Sequence, residues 1–199
     1  AAIGAGLPIS EATGSMIVDI GGGTTEIAVM SLGGVVFSKS LRIAGDAMDG
    51  AIINYMRKKF NLLIGESTAE KIKKEIGTAI PTTNNIFLMK GRDIRTGTPK
   101  EISLTEEDAC EALMPILNQM LAAIKEALES TPPELSADLV DMGLVLTGGG
   151  ALLKNIDKLI SKDTGLPVTI ADNPLECVAT GTGKALENEE LFSTMLSEY

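Results

Sequence analysis

The sequence predicts an α/β protein with one mixed sheet of βββαβα type, flanked by helices and interrupted by a small inserted α/β lobe. Three runs of strand-forming residues follow one another at short spacing near the start, which indicates antiparallel hairpins. The last third of the chain alternates strand and helix patterns, which is typical of an α/β layer. Between these two parts the spacing of the apolar residues changes to a helical period, and the inserted lobe is expected there.

The first part contains three predicted strands, then two predicted helices. The strands are expected at 16–20, 25–31 and 34–40, joined by a glycine triplet and by the sequence LGG. Apolar residues then recur at helical spacing over 46–60, with Asp46 as the expected N-cap. A second helix is predicted from a capping box between Ser67 and Glu70, and Gly77 closes it.

Residues 78–104 are expected to form two short strands around a glycine-containing connection. Thr105 then caps a long helix with an apolar stripe that extends to Leu128, and Pro132 and Pro133 end it. Pro115 lies inside that stripe, so we expect it to kink or restart the helix.

The final third begins with a buried strand at 143–147, which is followed by three glycines. An amphipathic helix is predicted to open at Ala151, and another strand is predicted at 166–170. The last helix is predicted over 174–190, entered through Pro174.

Composition excludes several classes of function. The 199 residues are 44% hydrophobic, which is enough for a substantial core, and 17 basic against 27 acidic residues give a net charge of −10. A surface of that sign disfavours nucleic acid or an anionic membrane as the main partner. Because the chain has no histidine, a Ser-His-Asp triad and histidine acid–base chemistry are excluded.

Cys110 and Cys177 are far apart and lack metal-ligand spacing, so reduced core cysteines of a cytoplasmic protein are expected. No apolar run reaches the roughly 18 residues of a membrane span. The start is apolar but has no basic leader, which makes it a poor signal peptide. It also lacks a starting methionine, and we interpret it as a cut end with sequence missing upstream.

Two glycine triplets carry the functional prediction. MIVDIGGG (16–23) and GLVLTGGG (143–150) are both apolar strands that run into three glycines. The first turn is expected to present backbone N–H groups to phosphate oxygens, and the second to place free N–H groups at a helix N-terminus. Asp19 ends a buried run, where a carboxylate is costly unless it binds a cation or donors. Together these features predict a nucleotide with a divalent metal, although a glycine triplet by itself is more often a simple turn.

Two other nucleotide motifs do not fit. No G-x-G-x-x-G opens a helix after the first strand, which argues against a Rossmann dinucleotide site. TGTGKA (180–185) lacks the first glycine of a P-loop at the right spacing, and Ala185 replaces the residue that would hold magnesium.

The stretch DIGGGTTE (19–26) resembles the second phosphate loop of the superfamily of actin, sugar-kinase and heat-shock-chaperone ATPases, whose fold is ribonuclease H-like. LTGGGALL (146–153) resembles the adenosine motif of that superfamily. Nearly the whole chain is similar to the MreB family of bacterial actin-like rod-shape proteins. The stretches that carry this likeness are AAIGAGLP, DIGGGTTEIAV, RIAGDAMDGAIINYMR, IGESTAEKIKKEIG, PPELSADL, LTGGGALLKNIDKL and NPLECVATGTGKALE.

The resemblance implies roles for particular residues in an ATP and Mg²⁺ site. Asp19 would orient the water shell of the magnesium ion, and Thr24 would help to position the attacking water. Contacts to the β- and γ-phosphates would come from Gly21, Gly22, Gly23, Thr24 and Thr25. Contacts to ribose and adenine would come from Glu70, Lys73, Gly148, Gly149 and Gly150.

Several of these residues also have ordinary structural interpretations. Glu70 is the N3 acid of its capping box, and Lys73 has the character of a solvated lysine on the same helix face. Thr24 fits a plain strand residue. Asp46 fits a helix cap, with a position near the phosphates as the alternative.

The resemblance also implies that the chain is the second half of such a protein. Residues 1–45 and 105–199 would form subdomain IIA, residues 46–104 would form the IIB lobe, and domain I would be absent. An acidic residue that assists the attacking water is expected just upstream of Ala1. Since phosphoryl transfer depends on positioning, we expect ATPase activity in the intact protein and little or none here.

For the intact protein, the resemblance implies a cytoplasmic filament subunit that assembles head to tail with itself. Its filaments would associate with the membrane through the missing half. They would organise cell-wall synthesis and rod shape, together with cell-wall synthesis and morphogenesis proteins at the inner membrane face. Two rivals from the same superfamily stay open, namely a sugar or acid kinase and a chaperone-type ATPase.

Overall fold

The computed structural model describes residues 1–187 and contains two sheets packed with helices. The strands are β1 (Ser15–Ile20), β2 (Thr25–Ser31), β3 (Gly34–Leu41), β4 (Leu62–Leu63), β5 (Ile86–Asp93), β6 (Pro99–Thr105), β7 (Leu144–Thr147) and β8 (Val168–Ile170). The helices are α1 (Gly45–Phe60), α2 (Glu66–Ile76), α3 (Glu106–Glu129), α4 (Pro133–Met142), α5 (Ile156–Thr164) and α6 (Cys177–Glu187), with a 3-10 turn at Gly149–Leu152.

The larger sheet has five strands in the order β3-β2-β1-β7-β8. Strands β1, β2 and β3 pair antiparallel, whereas β7 pairs parallel with both β1 and β8. The first part of the chain therefore forms hairpins, and the last part reaches the same sheet through helical crossovers. This confirms the predicted mixed α/β sheet of βββαβα type.

Strand β1 is covered on both faces, which explains its nearly continuous apolar sequence. Met16, Val18 and Ile20 belong to the main core. Ile17 belongs to a second cluster with Ala2, Ile9 and Met30. The first residues of the chain thus pack on the opposite face of the sheet, and β1 is held at the centre.

The smaller sheet, β4-β5-β6, lies within the predicted inserted lobe. Its buried residues Leu62, Met89 and Leu104 belong to the same apolar cluster as Met16 and Val18. The core is therefore continuous between the two sheets. The division of the chain into subdomains IIA and IIB at residues 46 and 104 stays a prediction.

Helix α3 begins as expected, because the Thr105 side chain accepts from the Asp108 amide and the Asp108 carboxylate accepts from the Thr105 amide. The helix continues through Pro115 to Glu129, so the proline does not restart it. Two short elements, β4 and α4, were not predicted from the sequence.

Four expected helix starts are wrong. The N-cap of α1 is Ala44 rather than Asp46, and α2 follows Gly65, so Ser67 lies inside the helix and its capping box does not form. After the second triplet the chain makes a 3-10 turn, and α5 begins only at Ile156. Helix α6 begins at Cys177, after a turn that contains Pro174, and the predicted residues 188–190 lie outside the described part.

Both cysteines are free and buried. Within residues 1–187, no helix combines the length and apolar character that crossing a bilayer requires.

Candidate functional site

The first glycine loop joins β1 to β2 and contacts the start of α1. The Gly21 amide donates to Thr24 O at 2.9 Å, which closes the loop. The carbonyls of Gly21 and Gly22 accept from the amides of Gly45 (3.1 Å) and Asp46 (2.8 Å). The loop carbonyls therefore cap α1 in place of a side chain, which is why Asp46 is not needed as a cap.

The amides on the opposite side of this loop are free of hydrogen bonds within residues 1–187. Gly22, Gly23 and Thr24 are exposed, and within residues 1–187 their amides donate no backbone or side-chain hydrogen bond. A Cβ on Gly22 or Gly23 would have room, since the nearest atoms are Asp46 carboxylate oxygens at 3.7 and 4.0 Å. Packing does not require glycine there. A run of free amides suits an anion that approaches the backbone closely.

The second glycine turn lies directly beside the end of β1. Gly148 has a φ of +80°, and a Cβ there would be 2.4 Å from Ile20 O and 2.5 Å from Asp19 Oδ1. A Cβ on Gly150 would be 2.2 Å from Ile20 Cγ2. The two triplets, separated by more than a hundred residues, are thus packed together at one edge of the sheet because β1 and β7 are parallel neighbours.

Asp19 lies between these two turns. Its Cα pairs with Glu26 across the hairpin and with Thr147 on β7. In the described part of the chain, no hydrogen bond or ion pair reaches its carboxylate. No group of three or more acidic or cysteine side chains there forms a metal cluster. A half-buried carboxylate without donors fits Mg²⁺, which keeps most of its waters and needs one or two carboxylates.

The two threonines after the triplet have different environments. Thr24 is exposed beside the free amides. Thr25 is fully buried, and its hydroxyl donates to Ile43 O at 2.6 Å. The hydroxyl of Thr25 therefore fastens β2 to the segment before α1, whereas that of Thr24 faces outward.

Glu70 and Lys73 lie on α2 and have distinct partners. Glu70 is exposed and pairs with Lys74 at 2.7 Å, and the hydrogen bond from Lys74 lowers the Glu70 pKa. Lys73 is not a solvated lysine, since its side chain is only 17% exposed. Its ammonium donates to Asp49 Oδ2 at 2.8 Å and to Gly45 O at 2.9 Å.

Sequence reasoning missed Asp49, which joins α1 to α2 through Lys73. The available signal was its spacing from Asp46, three residues on and therefore on the same side of α1. That spacing alone does not identify a partner on another helix.

The family model described as MreB/Mbl protein matches residues 1–194. The cell shape-determining protein MreB of Escherichia coli (strain K12) is 56% identical over 188 residues, which cover 94% of this chain and 54% of that protein. The chain thus spans about half the length of this curated relative.

Solved structures agree with the sequence comparison. MreB5 of Spiroplasma citri bound to AMPPNP superposes with a TM-score of 0.91 at 39% identity, over 95% of this chain and 57% of that one. A double helical filament of MamK superposes with a TM-score of 0.74 at 25% identity, over 94% of this chain and 57% of that one.

Proposed function

The chain belongs to the MreB/Mbl family, and we propose that it is the half of an actin-like cytoskeletal protein that binds ATP with Mg²⁺. The observation that carries this proposal is the close packing of Gly148 and Gly150 on Ile20, the residue directly before the first triplet, with Asp19 beside them. One turn offers free amides to phosphates, and the other lies within reach of the same ligand. A related MreB5 was solved with AMPPNP and with ADP.

The exposed residues of the first loop have roles that their positions support, whereas the Gly21 amide is occupied by Thr24 O and the Thr25 hydroxyl by Ile43 O. The free amides of Gly22, Gly23 and Thr24 hold the terminal phosphates. Asp19 would hold Mg²⁺ through water molecules, and the bound ion would supply positive charge to neutralise the phosphates. The outward hydroxyl of Thr24 orients the attacking water. The second triplet and α2, with Glu70 and Lys73, hold the nucleoside.

In the complete protein, ATP binding closes two halves around the nucleotide and favours head-to-tail filaments in the cytoplasm. A MamK filament and the MreB/Mbl relatives support self-association. Such filaments associate with the membrane through the other half of the protein. They organise cell-wall synthesis together with proteins at the inner membrane face. Alone, this chain leaves one wall of the site open to water, so hydrolysis is slow or absent.

The kinase and chaperone alternatives are not favoured, because the family match covers nearly the whole chain. Sedimentation of the complete protein separates them from the filament. Pelleting that depends on ATP, without a phosphorylated small-molecule product, supports the proposal. Transfer of phosphate to a sugar or an acid would contradict it.

The metal role of Asp19 is tested by calorimetric titration of this chain with ATP, with and without Mg²⁺. Asp19→Asn keeps the shape of the side chain but removes its charge, so the gain in ATP affinity from Mg²⁺ should fall about tenfold. Glu26→Gln removes one charge from the paired position on β2 and should leave the gain unchanged. An equal loss in both variants would show a general charge effect and refute the assignment.

A further inference from the structure

The contact between α1 and α2 contains a mostly buried ion pair between Lys73 and Asp49, and the proposed site gives no role to Asp49. Asp49 Oδ2 and Lys73 Nζ are 2.8 Å apart, and the two side chains are 14% and 17% exposed. The second carboxylate oxygen, Asp49 Oδ1, is buried and has no hydrogen-bond partner in the described part of the chain. Lys73 is therefore the main compensation for this buried charge, and the pair is strongly held in place.

The same lysine holds the first turn of α1. Its ammonium donates to Gly45 O at 2.9 Å. On the other side of that residue, the Gly45 amide donates to Gly21 O at 3.1 Å. Gly45 thus connects α2 to the glycine loop through two hydrogen bonds, one to its carbonyl and one from its amide.

An ammonium has three N–H donors, and Asp49 and Gly45 take two of those on Lys73. Within residues 1–187 the third N–H has no protein acceptor and is available to a ligand. The ammonium that would contact the nucleotide is therefore the same group that is hydrogen-bonded to the first turn of α1, beside the phosphate loop.

We propose that Asp49 is a positioning residue that acts through Lys73. It fixes the first turn of α1 against the glycine loop, so the geometry of the phosphate loop depends on the ion pair between Asp49 and Lys73. The effect on nucleotide rests on the proposed function. The mechanical link between α2 and the loop does not.

The mechanical link is tested without nucleotide by amide hydrogen exchange on this chain. Asp49→Asn keeps the shape but removes the charge, and exchange of the Gly45 and Asp46 amides should become about tenfold faster. Asp163→Asn is the matched control, because Asp163 pairs with Lys125 between α3 and α5 at 2.9 Å. It should leave these two amides unchanged. Equal acceleration of exchange in all helices, or none at the two amides, would overturn the proposal.

Action through Lys73 is tested with two further variants. Lys73→Arg keeps the charge and should retain the protection of both amides, whereas Lys73→Met should lose it. Adding Asp49→Asn to Lys73→Met should cause no further acceleration, since the carboxylate then has no ammonium to hold. A fully additive effect would overturn the proposal. The comparison of Lys73→Arg with Lys73→Met decides the question even if Asp49→Asn does not fold.

The effect on the ligand is measured as the ratio of the Kd values for adenosine and for Mg-ATP. Asp49→Asn should lower this preference for ATP about tenfold, because the loosened loop affects phosphate contacts more than nucleoside contacts. Equal weakening of both ligands would overturn the coupling. If the unaltered chain binds neither ligand, the proposed function fails, and the exchange measurement still decides the mechanical link.

Discussion

Replacement of Gly148 by alanine should separate the second glycine turn from β1. The backbone at Gly148 has a φ of +80°, which side chains rarely adopt. The added Cβ would also be 2.4 Å from Ile20 O and 2.5 Å from Asp19 Oδ1. The first of these atoms belongs to the backbone of a central strand, so it has little freedom to move away.

The magnitude follows from these two effects. Gly148 has a ψ of 170° beside its φ of +80°, a backbone region used almost only by glycine, which costs roughly 1–3 kcal/mol for alanine, and overpacking of a close contact costs roughly 1–3 kcal/mol more. The free energy of unfolding should therefore fall by about 2–6 kcal/mol. In a domain of this size each kcal/mol lowers Tm by roughly 2–4 °C, so Tm should fall by at least about 4 °C.

Gly23→Ala is the matched comparison in the first triplet. Its Cβ would have no atom closer than an Asp46 oxygen at 4.0 Å, and its φ is not positive. We expect stability to change by no more than about 0.5 kcal/mol, while the affinity for Mg-ATP falls because a methyl group covers the free amides. Thermal unfolding followed by circular dichroism, with an ATP titration of each variant, measures both quantities.

Two results would refute this reasoning. A Gly148→Ala variant as stable as the unaltered chain would mean that the turn does not press on β1. A Gly23→Ala variant that binds Mg-ATP with unchanged affinity would mean that glycine at this position does not serve the phosphates.

Two further predictions concern stability. Leu32 is 73% exposed at a φ of +53° in the turn between β2 and β3, so Leu32→Asn should raise the free energy of unfolding by up to about 1 kcal/mol, and a lower urea midpoint would contradict this. Glu106 is 2% exposed and accepts hydrogen bonds from Thr82, Thr83 and Asn85, of which the Thr83 hydroxyl contributes most to lowering its pKa. The stability that this carboxylate contributes is present above its unfolded-state pKa and is lost as pH falls through the folded-state pKa. Urea titrations between about pH 6 and pH 3 should therefore show a steeper loss of stability for the unaltered chain than for Glu106→Gln, and equal slopes would refute the role of Glu106.

Local chemistry explains which expectations were confirmed. The strands were predictable because short apolar runs separated by glycines are typical of strands joined by tight turns. The start of α3 was predictable because the capping box at Thr105 is complete within four residues. The first triplet was predictable as a loop for the same reason. Resemblance to the MreB family added the roles of residues, which periodicity alone does not give.

The failed prediction for the start of α1 has one cause, which is a partner distant in sequence. Helix α1 begins at Gly45 because the carbonyls of Gly21 and Gly22 accept its first amides. No pattern within residues 40–50 contains that information. Local capping rules applied to the sequence therefore predicted Asp46 as the N-cap.

The sequence by itself determined the α/β class, the family and the two glycine turns, because each depends on residues that are neighbours along the chain. Only the tertiary structure decided that Gly148 and Gly150 press on Ile20 and that Lys73 is held between Asp49 and Gly45. Those contacts form when parallel strands and crossing helices bring remote segments within hydrogen-bond distance. The energies of these contacts depend on how deeply the residues are buried, which the sequence does not specify.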